Sequence, residues 1–350
     1  MRKLASIRKI SEIKPIPNAD AIEVAVVDGW NVVIKKGEYQ VGDLAVYFEI
    51  DSWVPHDLAP FLSKGQEPKE FEGVVGNCLR TVKLRGQVSQ GLLLPLSIID
   101  SKYRDMLEVP LEGYDVTDEL GIKKYEAPIP ASLAGEVHGV FPSFISKTDQ
   151  ERVQNIINNR QYFLGRWEVT TKLDGSSMTM FIRDDTVGVC SRNLWLKDNE
   201  ANTGNTLVRV ANELQYKDVL PAVAQEVGFD FAVQGELMGP GIQKNREKLS
   251  KAQFFVFDIF NINEYRYLLP NERHEVLALF RAHGVELQEV PIVDACKVLV
   301  EEDVSINKFL EFADIPSLNH KYAEGVVFKS LDQPNKSFKV ISNKYLLKEQ

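Results

Sequence analysis

The sequence predicts an α+β protein, with a small N-terminal β-barrel followed by antiparallel sheets flanked by helices. Three observations carry this reading. Residues 1–125 hold short apolar runs separated by turn signals, the pattern of a small all-β domain. Residues 126–148 contain Pro128, Pro130, Gly135, Gly139 and Pro142 and few apolar periods, which marks a linker. From Trp167 onward, strand and helix patterns interleave without a regular βαβ rhythm, which argues against a parallel sheet. The expected organisation is a barrel over 1–125, a linker over 126–148 and a second domain over 149–350.

In the first domain, Ile22–Val26 alternates, and Trp30–Ile34 follows the Asp28-Gly29 turn, a two-residue hairpin signal. Leu44–Phe48 follows Val41-Gly42-Asp43, and Leu79–Leu84 and Gly91–Leu94 bracket Arg85-Gly86. Short strands at this spacing suit a barrel. In the second domain the segment 149–162 reads as a helix. Strands are expected at 167–172, 177–183, 186–191, 231–238, 253–260, 324–329 and 337–341. Helices are expected near 204–215, 271–283 and 305–313, the second after Leu269-Pro270-Asn271.

The bulk numbers bound the function classes. The chain has 350 residues, 44% hydrophobic and 26% charged, enough for two ordinary domains with real cores. Cys78, Cys190 and Cys296 stand far apart, so neither a disulfide framework nor a zinc site is expected. Residues 1–10 are basic but lack the apolar run of a signal peptide, and nothing is long enough to span a membrane. The expected compartment is intracellular, cytoplasmic or nuclear. The formal net charge is −9, and acids outnumber bases in residues 1–130 as in the rest. A nucleic-acid surface would therefore be a local patch on an acidic protein.

The chemistry centres on Thr171-Lys172-Leu173-Asp174-Gly175-Ser176. Lys172 ends a strand with Glu168 and Thr170 on its face, and Asp174-Gly175 turns the chain into Met178–Ile182. A strand-mounted lysine is held tightly, which suits a nucleophile. A lysine before an Asp-Gly hairpin is also commonplace, so this segment alone decides little. Five further segments follow: Ser191-Arg192-Asn193, Gln234–Leu237 with Glu236, Phe254–Ile259 with Asp258, Glu324–Lys329, and Phe338–Ser342 with Lys339.

Together, and in this order, the six segments resemble motifs I, Ia, III, IIIa, IV and V of the covalent nucleotidyltransferase superfamily, the polynucleotide ligases and mRNA capping enzymes. The resemblance covers roughly residues 165 to 345. It implies an ATP-grasp-like adenylyltransferase core and assigns roles. Lys172 would carry the nucleotide covalently. Asp174, Gly175, Arg192, Glu236, Phe257, Glu324 and Lys339 would bind it, Arg192 at ribose or a terminal phosphate, Glu236 at a ribose hydroxyl, Phe257 against adenine. Phe255 shares the parity of Phe257 and could share that role.

A free lysine has a pKa of about 10.4 and is almost wholly charged near pH 7. It must be neutral to attack phosphorus, so burial and a neighbouring cation, here Lys339, are expected to lower that value. Asp174, Glu236, Asp258 and Glu324 would repel a triphosphate, which implies Mg2+ or Mn2+. Asp174, Glu236 and Glu324 would hold the metal, mostly through its waters.

The family's last motif often has two lysines one residue apart. Here Ser337 and Ile341 flank Lys339, leaving Lys336 or Lys344 as substitutes. Arg152, Arg160 and Arg166 precede the first motif and could reach the β- and γ-phosphates. The chain ends soon after Lys339 and carries its barrel in front. Ile7–Val27, with Pro17-Asn18-Ala19-Asp20, resembles the opening of OB-type modules that bind tRNA. That order, and the ending Ser342–Leu347, resemble ATP-dependent RNA ligases with an N-terminal OB domain and no C-terminal domain. Such ligases seal nicked duplexes whose 3′-OH strand ends in RNA. The expected protein is a monomer with no membrane partner. Arg2, Lys3, Arg8, Lys9 and Lys14, and Arg80, Lys83 and Arg85, are two basic stretches for phosphate contacts. The competing readings are a capping guanylyltransferase, a DNA ligase, and an OB-type binding protein with an inactive ligase domain.

Overall fold

The structure, a computed structural model, describes residues 3–101, 103, 111–126 and 133–349. The chain divides into two compact units. One comprises Met1–Ala127 with Gln154–Asn159 and Leu346–Gln350, the other Pro128–Val153 with Arg160–Tyr345.

In the first unit, Ala5–Lys9, Leu44–Phe48 and Leu92–Pro95 form an antiparallel sheet, and Glu12–Pro15, Ile22–Val27 and Trp30–Lys35 form another. Val27 pairs with Trp30 across the Asp28-Gly29 turn, where Asp28 takes a positive φ of 50°, as such a tight turn requires. The strand Leu44–Phe48 has no solvent face. Val46 and Phe48 pack with Ile7 and Val54, while Ala45 and Tyr47 pack with Trp30 and Val32. Alternation thus serves two cores rather than one core and water. The basic stretch near the N-terminus is partly engaged: Arg8 pairs with Asp28 at 3.6 Å and Lys14 with Glu12 at 3.0 Å. Arg2 lies outside the described residues.

The second unit is built on two sheets. Its main elements, in chain order, are β1 (Gly165–Lys172), β2 (Ser176–Arg183), β3 (Thr186–Ser191), α1 (Thr206–Glu213), α2 (Tyr216–Val227), β4 (Phe231–Met238), β5 (Gln253–Asn261), α3 (Pro270–Ala282), β6 (Ile292–Leu299), β7 (Gly325–Ser330) and β8 (Ser337–Ile341). The larger sheet runs β3, β2, β4, β5 through its centre; the smaller runs β8, β7, β1, β6. These eight strands pair antiparallel throughout. Leu207, Leu220, Val233, Val256 and Phe280 close the main core between α1, α2, α3 and the larger sheet. Asn205 caps α1 by accepting from the amides of Leu207 and Val208. At the start of α3, Glu272 accepts from the amide of Leu269 at 2.6 Å, and Pro270 needs no such partner.

Three expectations are corrected. The segment 149–162 is not one helix: Glu151–Arg152 pairs with β8, and two single turns follow at Val153–Ile156 and Arg160–Phe163. The linker is partly structural, since Val137–Val140 adds a strand beside Leu194–Leu196. Residues 127–132 of that linker lie outside the described residues. Finally, α2 and β6 were not foreseen. Pro221 sits inside α2, where proline ordinarily argues against a helix. The cysteines are free, with Cys190 buried and Cys296 exposed. Among the described residues no helix is long and apolar enough to cross a membrane.

Candidate active site

Lys172 is the last residue of β1 and pairs across to Gly325 of β7. After it the chain leaves the smaller sheet and enters the larger one at Ser176. Leu173-Asp174-Gly175 is therefore a crossover between sheets, not the tip of a hairpin. This places Lys172 where the sheets face each other. Gly175 is required by space: its amide donates to Glu236 Oε1 at 2.9 Å. A Cβ there would fall on the carbonyl of Leu237 and lie 2.8 Å from Met238 Cγ. Gly175→Ala is expected to displace Glu236, cost roughly 1–3 kcal/mol of stability and strongly reduce covalent nucleotide labelling. Thermal unfolding and labelling with α-labelled ATP check this; unchanged labelling would remove Gly175 from the site.

Lys172 Nζ donates to Glu324 Oε2 at 2.6 Å, with both side chains mostly buried. Burial disfavours the ammonium, but Glu324, Glu236 and Asp174 outweigh it, and the lysine's pKa lies above its ordinary value. This corrects the expectation of a lysine already made neutral: with these acids bare, they hold its proton. The acids also strain one another. Glu236 is pushed up to about 7 by burial, only partly relieved by Lys172, and with Glu324 adding to the rise. Asp174 is pushed up to about 6 by burial and by Glu324. Asp174 is further held by Arg246 at 3.7 Å, a guanidinium with only 4% exposure that also lies 4.7 Å above the Tyr345 ring. Lys339 of β8 lines the same cavity and donates to Asp149 at 3.0 Å. Burial pulls its pKa down to about 8, with Arg152 and Lys172 acting the same way and Asp149 opposing.

The cavity is lined by Thr170, Lys172, Ser177, Arg192, Glu236, Phe257, Lys329 and Lys339, among others. Phe257 reaches it through an irregularity in β5. Gln234 pairs with Asp258 and Gly235 with Val256, so Phe257 is an extra residue, a β-bulge. Its carbonyl, released from the ladder, accepts from Lys329 Nζ. Phe255 and Phe257 keep a shared face and pack in one cluster, but only Phe257 lines the cavity. Phe255 is buried with Leu173, Met238 and Val290 rather than lining the cavity. Asp258 also leaves the acidic group, since Lys329 neutralises it at 2.8 Å. Behind this lies a buried pair: Arg273 of α3 donates to both oxygens of Glu168, at 3.0 and 2.9 Å, and to Glu289 at 3.0 Å.

The structure thus gathers Lys172, Arg192, Glu236, Phe257 and Lys339 around one cavity, with Glu324, Asp174 and Gly175 against its lysine and acids. Arg152 is buried and pairs in register with Lys339. Four other cations are elsewhere. Arg166 is at the opposite end of β1 from Lys172, about 20 Å away at strand rise, and pairs with Asp332. Lys336 lies over the rings of Tyr162 and Trp167, each at 5.2 Å. Lys344 is exposed and pairs with Asp314 at 2.9 Å. Arg160 likewise donates to the carbonyl of Glu301. Residues that sequence reasoning missed are Thr148, Gln150, Ser177, Lys329 and Arg246. Lys329 closes the Glu324–Lys329 segment and was visible; Arg246 sits in an irregular loop with no periodic signal.

Among the described residues no three His, Cys, Asp or Glu side chains converge as a direct metal cage. The raised carboxyls of Asp174 and Glu236 still mark a site short of positive charge. A hydrated divalent cation held through its waters fits that donor set.

A two-sheet unit that sets a lysine among carboxylates beside an aromatic-floored cavity, preceded by a small barrel, is the build of a polynucleotide ligase. Comparison with known proteins narrows this. Residues 165–341 match the RNA ligase family and residues 4–96 an OB-fold domain. The chain belongs to the RNA ligase family, and its N-terminal barrel is an OB fold. Solved structures of Naegleria gruberi RNA ligase are similar over nearly the whole chain. One, with pyrophosphate, is 44% identical with a TM-score of 0.87, covering 99% of this chain and 98% of that one. A lysine-to-alanine variant with ATP and Mn is 44% identical with a TM-score of 0.86 and covers 98% of both. A glutamate-to-alanine variant with AMP and Mn gives 44% and 0.87, covering 99% and 98%. No curated protein sequence matches the chain.

Proposed function

We propose that this chain is an ATP-dependent RNA ligase that forms a covalent lysyl-AMP at Lys172. It adenylylates a 5′-phosphate and joins it to an RNA 3′-OH, at nicks in duplexes, in RNA repair. The carrying observation is Lys172 Nζ at 2.6 Å from Glu324, on the wall of a cavity that also holds Phe257 and Lys339. The Naegleria gruberi structures support it, because ATP, AMP and pyrophosphate are the substrate, transferred group and leaving group of lysine adenylylation.

In this reading Phe257 packs against adenine and Glu236 accepts from a ribose hydroxyl. Lys339 places its charge on the α-phosphate; with a pKa of about 8 it is mostly cationic at neutral pH. Arg192 and Arg152 contact phosphate or ribose oxygens. Lys172 attacks the α-phosphorus, the N–P bond forms and the bond to pyrophosphate breaks. Glu324, nearest to Nζ, accepts the ammonium proton. Asp174, Glu236 and Glu324 would hold Mg2+ or Mn2+ through its waters, and the ion would supply charge against the phosphates. AMP then passes to the 5′-phosphate, and the 3′-OH expels it. The protein works as an intracellular monomer.

Chelation with EDTA is expected to abolish covalent labelling from ATP, and added Mn2+ to restore it. Nicked duplexes with RNA or DNA at the 3′-OH side then separate ligase types. Sealing is expected only with RNA. Equal sealing of both would favour a DNA ligase, and labelling from GTP alone a capping enzyme.

A further inference from the structure

A second cleft adjoins the nucleotide cavity and is roomier, about 360 Å³ against about 110 Å³. The two share Thr148, Asp149 and Gln150. Three aromatic rings shape the second cleft. Phe260 is buried; Tyr267 packs on it at 5.1 Å, and its hydroxyl donates to the carbonyl of Ser146 at 3.1 Å. Tyr265 packs edge-on to Phe260 at 5.2 Å yet stays 56% exposed. It closes the hairpin from β5 to Arg266–Tyr267 with φ of 52°, a conformation bulky side chains rarely take. The turn thus carries backbone strain and leaves a large ring standing in water beside an open cleft.

We propose that this cleft is a nucleobase subsite for the RNA being joined, with Tyr265 as its stacking platform. The inference rests on the RNA-ligase reading and adds where the RNA strand is gripped next to the reacting nucleotide. The cleft's charges favour a neutral heterocycle over a phosphate. Lys147 is the only cation among its lining residues and already donates to Asn193 at 2.9 Å, while Asp149 is engaged by Lys339. Gln150 lines both cavities and Asn335 lines this one; Asn335 Oδ1 already accepts from the amide of Tyr267 at 2.8 Å, so its side-chain NH2 and the Gln150 amide are the groups offered to base edges. A base at the strand end that leaves its partner at the nick stacks on an aromatic ring and presents its edge to such groups.

The test separates strand binding from adenylylation. Tyr265→Ala, and Tyr265→Gly, which also suits the positive φ, are expected to accept AMP from ATP at the wild-type rate. With 5′-phosphorylated RNA and adenylylated enzyme, both should raise the KM for RNA by about tenfold, the loss of one stacked base. Tyr265→Phe should restore wild-type values. Unchanged KM for RNA in both variants would overturn the subsite. So would a raised KM for ATP instead, which would make the base that of the nucleotide. If the wild-type protein takes up AMP but joins no RNA, the ligase reading itself fails, independently of Tyr265.

Discussion

Replacing Lys172 with alanine is expected to erase covalent labelling by ATP, a fall of at least about 10³-fold, because in the proposed mechanism Lys172 is the amine that forms the phosphoramide. The lysine is anchored at the end of β1 and its Nζ lies 2.6 Å from Glu324. ATP should still bind, since Phe257, Lys339 and Arg192 are untouched. The same change removes the cation that Glu236 and Asp174 share, so both carboxyls should titrate at still higher pH. Measurement of label on the denatured protein, with nucleotide binding in parallel, checks both halves. Label that survives in K172A would move the nucleophile elsewhere.

The second large effect is on stability. Glu168 and Arg273 have side chains only 2% exposed, and their pair ties β1 to α3. Arg273→Met leaves the Glu168 carboxylate buried without its cation. The expected loss is about 3–5 kcal/mol, as for a broken buried ion pair. For a unit of this size that lowers its melting temperature by roughly 6–20 °C. Adding Glu168→Met should recover much of the loss, because removing both charges costs far less than stranding one. Thermal denaturation of the single and double variants decides it. A single variant that melts with the wild type would show that the pair carries no net stability.

Much of the site was legible because its groups are mounted near the ends of strands with strong local patterns. Lys172, Arg192, Glu236, Glu324 and Lys339 each sit in or beside an apolar run whose alternation can be read locally. The barrel was legible for the same reason, down to the Asp28-Gly29 hairpin. Arg166 was misplaced because nearness in sequence is not nearness in space. Six residues of extended chain carry it to the far end of β1 from Lys172. The segment 149–162 was misread because pairing with β8, nearly 190 residues away, overrides its local helical pattern. Arg246 and Gln150 come from irregular loops, whose positions depend on tertiary packing that no periodicity encodes. The lysine's protonation was misjudged because it depends on the sum of three acids brought from separate segments.

The bulge at Phe257 makes the floor of the nucleotide cavity depend on chain length as well as on residue type. Another flat side chain at 257 would keep its aim. A one-residue deletion from β5 would let the ladder close without a gap and take away the extra residue at the cavity floor. The Lys329 ammonium would then lose the carbonyl it now holds. This stretch should therefore accept point substitutions far more readily than any change in length, a constraint for anyone altering the enzyme's nucleotide preference.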